Sequence, residues 1–189
     1  RANAAEVAIQ QLLGEIEAIE HADLSLAEAA DVLERWIDED RKHTPLKTLQ
    51  GLIWRQGYAA GELKGHVYPD TPAALRRWQA QGIKLYVYSS GSVEAQKLIF
   101  GHTEHGDLNP LFSGYFDTRV GPKREASSYR EILRQTGFGP GQMLFLSDVG
   151  EELDAARKAG MQTLQLIRDA RAQGFPEHPQ ATDFTAVLA

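Results

Sequence analysis

The sequence predicts an α/β protein in which a parallel sheet follows a purely helical first third. Three observations carry this. No strand pattern occurs before residue 83. From there on, short apolar runs alternate with segments of helical period, the signature of a parallel sheet crossed by helices. Two of those runs end in small polar or acidic residues: Ile83-Lys84-Leu85-Tyr86-Val87-Tyr88 leads into Ser89-Ser90-Gly91-Ser92, and Met143-Leu144-Phe145-Leu146 leads into Ser147-Asp148. Ligands of open parallel sheets bind at the carboxyl ends of the strands, so these residue types stand where chemistry is expected.

Residues 4–20 carry Val7, Ile9, Leu12, Leu13, Ile16 and Ile19 at mostly helical spacing. Ser25 and Glu28 form a capping box ahead of a second helix, whose stripe holds Leu26, Ala29, Ala30, Leu33, Trp36 and Ile37. Thr44-Pro45 reads as an N-cap followed by proline at the first helical position. Leu46, Leu49, Ile53 and Tyr58 form the apolar face of that third helix, which Gly61 ends. Asp70-Thr71-Pro72 starts a helix running through Trp78 and closing near Gly82. The rest alternates: strand 83–88, helix 93–100 capped by Ser92, a loop from Gly101 to Gly114, a short strand at 114–117, helix 125–136, strand 143–147, helix 151–159 and strand 162–167. The tail after Arg168 holds Gly174, Pro176 and Pro179 and reads as irregular. Trp36, Trp54 and Trp78 fall on helix faces, where packing is the expected role.

Composition narrows the function. At 189 residues and 42% hydrophobic content the chain can bury a core. A net charge of −6 argues against nucleic acid or an anionic membrane as partner. With no cysteine, thiolate nucleophiles, disulfides and cysteine-held zinc are excluded, which suits the cytoplasm. No apolar run approaches the ~20 residues of a membrane span. The chain opens at Arg1 within a helical pattern, and we expect a preceding segment.

Asp148 is the first candidate for chemistry. A hard cation such as Mg²⁺ takes oxygen ligands and keeps several waters, so one or two carboxylates suffice. Glu151, Glu152 and Asp154 follow as supporting groups or further ligands, although acids here also suit the start of a helix. Ser89 and Ser90 offer hydroxyls and amides at a helix N-terminus, a setting that cradles phosphate and equally serves a simple turn. Lys123, in Asp117-Thr118-Arg119-Val120-Gly121-Pro122-Lys123, could balance charge on a phosphoryl group or stand as a solvated surface cation. His102 and His105 read as loop residues.

Taken in order, a strand ending in Ser89, then Lys123, then a strand ending in Asp148 with acids behind it resemble the haloacid dehalogenase (HAD) superfamily of phosphohydrolases. A narrower resemblance rests on His43-Thr44-Pro45-Leu46-Lys47-Thr48-Leu49-Gln50-Gly51-Leu52-Ile53-Trp54, on Gly65-His66-Val67-Tyr68-Pro69-Asp70, on Ser89-Ser90-Gly91-Ser92-Val93-Glu94-Ala95-Gln96-Lys97-Leu98 and on the run from Phe116 to Tyr129. These phrases look like the enolase-phosphatase E1 family, also called acireductone synthases. The resemblance implies a HAD-like Rossmannoid parallel-sheet core at 66–189 under a helical cap at 1–65, one Mg²⁺ held by Asp148, and phosphoryl contacts from Ser89, Ser90 and Lys123. It further implies action on a phosphorylated diketone with a methylthio tail in methionine salvage, by enolisation and then dephosphorylation; the partner expected is this small molecule alone, with the chain a monomer. Leu46, Lys47, Gln50 and Trp54 are candidate cap contacts by position. The family's first motif, Asp-x-Glu-Gly-Thr on the central strand, has no match here. The expectation is that this strand and its nucleophile are missing from the chain, which leaves two unpaired strand edges and no turnover. Another capped phosphatase of small phosphate esters, or a non-catalytic phosphate- or metal-binding module, are the alternatives.

Overall fold

The computed structural model describes residues 2–41, 43–169 and 174–187 and divides the chain into two units, Arg1–Leu63 and Lys64–Ala189. The first unit is three helices: α1 (Ala2–Glu20), α2 (Leu26–Asp38) and α3 (Thr44–Ala59). Ile16, Ala29, Val32, Leu33, Trp36 and Leu46 form its core. Trp36 is fully buried, and its indole Nε1 donates to Glu20 Oε1 at 2.9 Å, which satisfies the one polar atom the ring carries inward. Arg35 pairs with the same Glu20 carboxylate. The expected capping box forms: the Glu28 amide donates to Ser25 Oγ at 3.3 Å and the Ser25 amide to Glu28 Oε2 at 2.8 Å.

Several sequence expectations in this unit need correction. Thr44 is the first helical residue and His43 stands at the N-cap without a side-chain cap bond, because Pro45 already fits the first turn. Leu26 and Ile37, at the two ends of the α2 stripe, are exposed. So are Ile53 and Trp54: beyond Leu46, α3 buries only Gly57, which Leu63 covers.

The second unit runs α4 (Thr71–Ala80), β1 (Tyr86–Tyr88), α5 (Val93–Gly101), β2 (Gly114–Phe116), α6 (Ala126–Thr136), β3 (Leu144–Ser147), α7 (Gly150–Lys158), β4 (Gln162–Leu166) and β5 (Gln180–Ala181). All strand pairs are parallel, but they form two sheets: β1–β2, with Val87 opposite Tyr115, and β3–β4–β5, with Leu146 opposite Leu164. One apolar cluster gathers Ala74, Leu75, Trp78, Leu108, Leu166, Ala181 and Val187. The other gathers Phe116, Tyr129, Ile132, Leu133, Ala155, Ala156 and Met161. β1 is shorter than the apolar run from residue 83. The chain before Tyr86 makes no ladder, although the Ser113 amide still donates to the Leu85 carbonyl at 2.7 Å. β5, two residues long and directly after Pro179, lies in the tail read as irregular.

That tail is tied down. Arg168 grips Asp70, just before α4, with two bonds of 2.8 and 2.9 Å, and its guanidinium lies over Tyr68 at 4.1 Å and Phe184 at 4.9 Å. The Phe184 amide donates to the same Asp70 carboxylate at 2.8 Å. His178 is buried between Thr163 Oγ1, 2.8 Å from its Nδ1, and Asp154 Oδ1, 3.2 Å from its Nε2.

Trp36→Ala should cost about 3–5 kcal/mol by opening a cavity and releasing Glu20, read as a lowered denaturant midpoint by circular dichroism. The hydrogen bond from Arg168, helped by the Phe184 amide, holds the Asp70 carboxyl below its ordinary value. A depressed folded-state pKa gives stability that is complete above about pH 4 and drains as pH falls through that pKa. Asp70→Asn should therefore cost about 2 kcal/mol at pH 7, with the gap to wild type closing toward pH 2 in paired unfolding curves.

Candidate active site

β1 and β3 end side by side in function, if not in one sheet: both line a cleft of about 1150 Å³. Among the described residues each is paired on one side only, to β2 and to β4. Leu85, Val87, Leu144 and Leu146 give the cleft an apolar wall, and Lys123, Ser147 and Asp148 bring polar chemistry to it.

Lys123 is placed by its loop. Gly121, Pro122 and Lys123 present three consecutive carbonyls, and each accepts a side-chain hydroxyl: Tyr88 Oη at 2.8 Å, Ser128 Oγ at 2.7 Å and Tyr129 Oη at 2.7 Å. Burial raises the pKa of both tyrosines, so their hydroxyls remain protonated donors at neutral pH. Gly121 has φ of +123°, and a Cβ on it would stand 2.3 Å from Ser128 Oγ, so the turn requires glycine. Lys123 Nζ then donates to Glu152 Oε2 at 2.7 Å and lies 5.8 Å from the Tyr88 ring centre.

Glu152 is the junction of the site. It is buried, and the same Oε2 accepts Ser147 Oγ at 3.0 Å. Ser147 Oγ in turn accepts the Val149 amide at 3.1 Å, which turns the chain from β3 into α7. Asp148, between them, is exposed at the strand end and does not cap α7, whose N-cap is Val149. The Asp148 carbonyl accepts Gln165 Nε2 at 3.4 Å from fully buried Gln165 on β4. Gly150 lets Phe175 pack against the first turn of α7, since a Cβ there would meet the ring at 2.4 Å. Of the other acids behind Asp148, Asp154 is engaged by Arg157 and His178, and Glu151 is exposed.

The serine arm lies just past β1. Ser89 is half-buried and Ser90 exposed, and neither lines the cleft, although Tyr88 before them does. The Ser89 amide donates to the Phe116 carbonyl at 3.1 Å, and Ser89 Oγ accepts the Gly91 amide at 3.1 Å. Ser92 caps α5 through the Ala95 amide, as its position predicts. Asp117, at the end of β2, accepts the Arg119 guanidinium and amide and the Val93 amide, joining β2 to the start of α5. The Arg119 hydrogen bonds hold its carboxyl below the ordinary range. The structure thus brings Lys123 and Asp148 to one cleft and puts Ser89 and Ser90 on the adjoining strand end.

The cleft offers a divalent cation the carboxylates of Asp148 and Asp169 in a largely apolar lining, and the chain has no cysteine to compete. That suits Mg²⁺ in kind, since hard cations take oxygen donors. Among the described residues no three His, Cys, Asp or Glu converge on a metal position, so a further donor has to join Asp148. Tyr88, Tyr129, Glu152 and Gln165 take supporting roles that the sequence pattern left undefined. Glu152 was in view only as one of several acids.

A family profile described as haloacid dehalogenase-like hydrolase matches residues 2–160. Enolase-phosphatase E1 of Erwinia tasmaniensis is 54% identical over 98% of this chain and 81% of its own length. The Azotobacter vinelandii enolase-phosphatase E1 is 54% identical over 99% of this chain and 82% of its own. The crystal structure of the UTR4 protein of Saccharomyces cerevisiae superposes with a TM-score of 0.79 at 31% identity, covering 95% of this chain and 86% of that one. CbbY of Rhodobacter sphaeroides shares the fold, with a TM-score of 0.62 at 18% identity over 96% of this chain and 89% of that one. The chain belongs to the enolase-phosphatase E1 family of haloacid dehalogenase-like hydrolases.

Proposed function

We propose that this site is the phosphoryl-binding half of a Mg²⁺-dependent phosphatase of methionine salvage, working as a cytoplasmic monomer. The substrate is 2,3-diketo-5-methylthiopentyl-1-phosphate and the product the acireductone. Turnover requires a further parallel strand between β1 and β3 that carries the nucleophilic aspartate. The observation that carries the reading is the chain of contacts from Lys123 through Glu152 to Ser147, beside Asp148. It puts a fixed cation and a free carboxylate on one cleft at the strand ends, in a chain whose relatives are named enolase-phosphatases.

In this reading Lys123 stabilises negative charge on the phosphoryl group, and Ser89 donates its hydroxyl proton to a phosphoryl oxygen. Ser90 holds the substrate. Asp148 contributes one ligand to Mg²⁺, which when bound polarises the substrate's oxygens. Glu152 fixes the ammonium of Lys123 so that little reorganisation is needed when charge develops. The helical segment 1–65 serves as the cap that excludes water. The edges of β1 and β3 that carry no strand among the described residues, and that line an apolar cleft, support the additional strand, since strand edges call for pairing.

Two measurements test this. The purified 189-residue chain should release no phosphate with Mg²⁺. Extending it with a strand bearing Asp-x-Glu-Gly-Thr should restore release from the phosphorylated diketone. Robust turnover by the unextended chain would refute the reading, and so would an extended chain that cleaves small phosphate esters but not the diketone. In the extended protein, Lys123→Ala should lower kcat/KM by about 10²–10³-fold. Glu152→Gln should lower it by about tenfold, mostly in kcat, because the lysine remains but is no longer fixed.

A further inference from the structure

We propose that Gln96 is the positioning residue of the Ser89–Ser92 loop and sets how tightly that loop holds a phosphoryl group. The inference rests on the reading of Ser89 as a phosphoryl contact.

Gln96 is a polar residue on α5 and is only 4% exposed. Its Nε2 donates both protons across the strand ends, to the Gly91 carbonyl at 2.9 Å and to the Phe116 carbonyl at 2.9 Å. The Phe116 carbonyl is the same one that receives the Ser89 amide at 3.1 Å. One side chain therefore ties the far end of the serine loop to the oxygen that anchors its near end. The amide can take only one orientation, since turning it over would set Oε1 against two carbonyl oxygens. That orientation leaves Oε1 buried with no donor. A buried unpaired acceptor is unfavourable, so the two straps outweigh an oxygen that a leucine at this position would not carry.

The consequence falls on Ser89. Its Oγ accepts the Gly91 amide at 3.1 Å, which uses a lone pair and leaves the hydroxyl proton free to donate elsewhere. That geometry holds only while Gly91 stays where its carbonyl is tied. Gly91 has no side chain of its own to fix it, and a Cβ there would touch only Ser89 Oγ, at 3.6 Å. Ser92 is separately held as the α5 cap. Gln96 is the side-chain link between Gly91 and the body of the fold, and it aims the Ser89 proton without touching the ligand.

The test is inorganic phosphate binding to the full chain, by titration calorimetry well below the melting transition, for wild type and Gln96→Leu. Phosphate affinity should fall about tenfold, equivalent to one lost hydrogen bond. A purely structural role would lower the melting temperature and leave phosphate affinity unchanged, and that result overturns the proposal. If the wild-type chain binds no phosphate, the phosphoryl-site reading itself fails and this inference goes with it. Should Gln96→Leu not fold, the wild type decides. Its Gln96 side-chain amide resonances and the Ser89 and Gly91 amides should shift together on adding phosphate, and an unmoved Gln96 amide would sink the idea.

Discussion

The acceptance of two donors by one oxygen, Glu152 Oε2, organises this site. Lys123 reaches it from the loop after β2, and Ser147 reaches it from the end of β3. Neither segment is near the other in sequence, and among the described residues no strand pairing joins β1–β2 to β3–β4–β5. A buried carboxylate needs a cation and hydrogen-bond donors to be tolerable. Here that requirement draws the lysine inward to Glu152, on the cleft that Asp148 also lines. The position of the lysine is thus a consequence of where a negative charge has been buried.

Around that junction the backbone is held by side chains. Three successive carbonyls of the lysine loop are bonded by Tyr88, Ser128 and Tyr129. The Asp148 carbonyl is bonded by Gln165, and the Gly91 and Phe116 carbonyls by Gln96. Loops at strand ends cannot continue the ladder, so their polar groups have to be satisfied some other way. Buried hydroxyls and amides do so here. They also make the loops stiff enough to present charged groups at fixed positions, a requirement for electrostatic stabilisation of a reaction.

Much of this was legible beforehand, because periodicity and caps are local. The capping box at Ser25, the Ser92 cap and the order of strands and helices after residue 83 need only neighbours in sequence to form. Asp148 stands out by residue type at a strand end, and Lys123 only by its place between the two strands in the family's motif order. What was not legible depends on contacts at long range. Ile53 and Trp54 sit on helix faces that read as packing faces, yet both are exposed. Glu152 stands next to Glu151 in the same acidic run, and only its burial and its bonds to Lys123 and Ser147 separate the two. β5 pairs over two residues and is held through Arg168, Asp70 and His178, which no short-range pattern announces.

The division of the strands between two sheets also bears on how this unit folds. β1 and β2 are joined through α5, β3 and β4 through α7, and each pair closes over a short stretch of chain. Contacts local in sequence cost little loop-closure entropy and form early, whereas long-range ones form late. What joins the two segments is the apolar cluster of Phe116, Tyr129, Ile132, Ala155 and Ala156 together with the contact of Lys123 with Glu152. Both are long-range in sequence, so the end of the unit that carries its chemistry is built from the contacts with the larger closure cost.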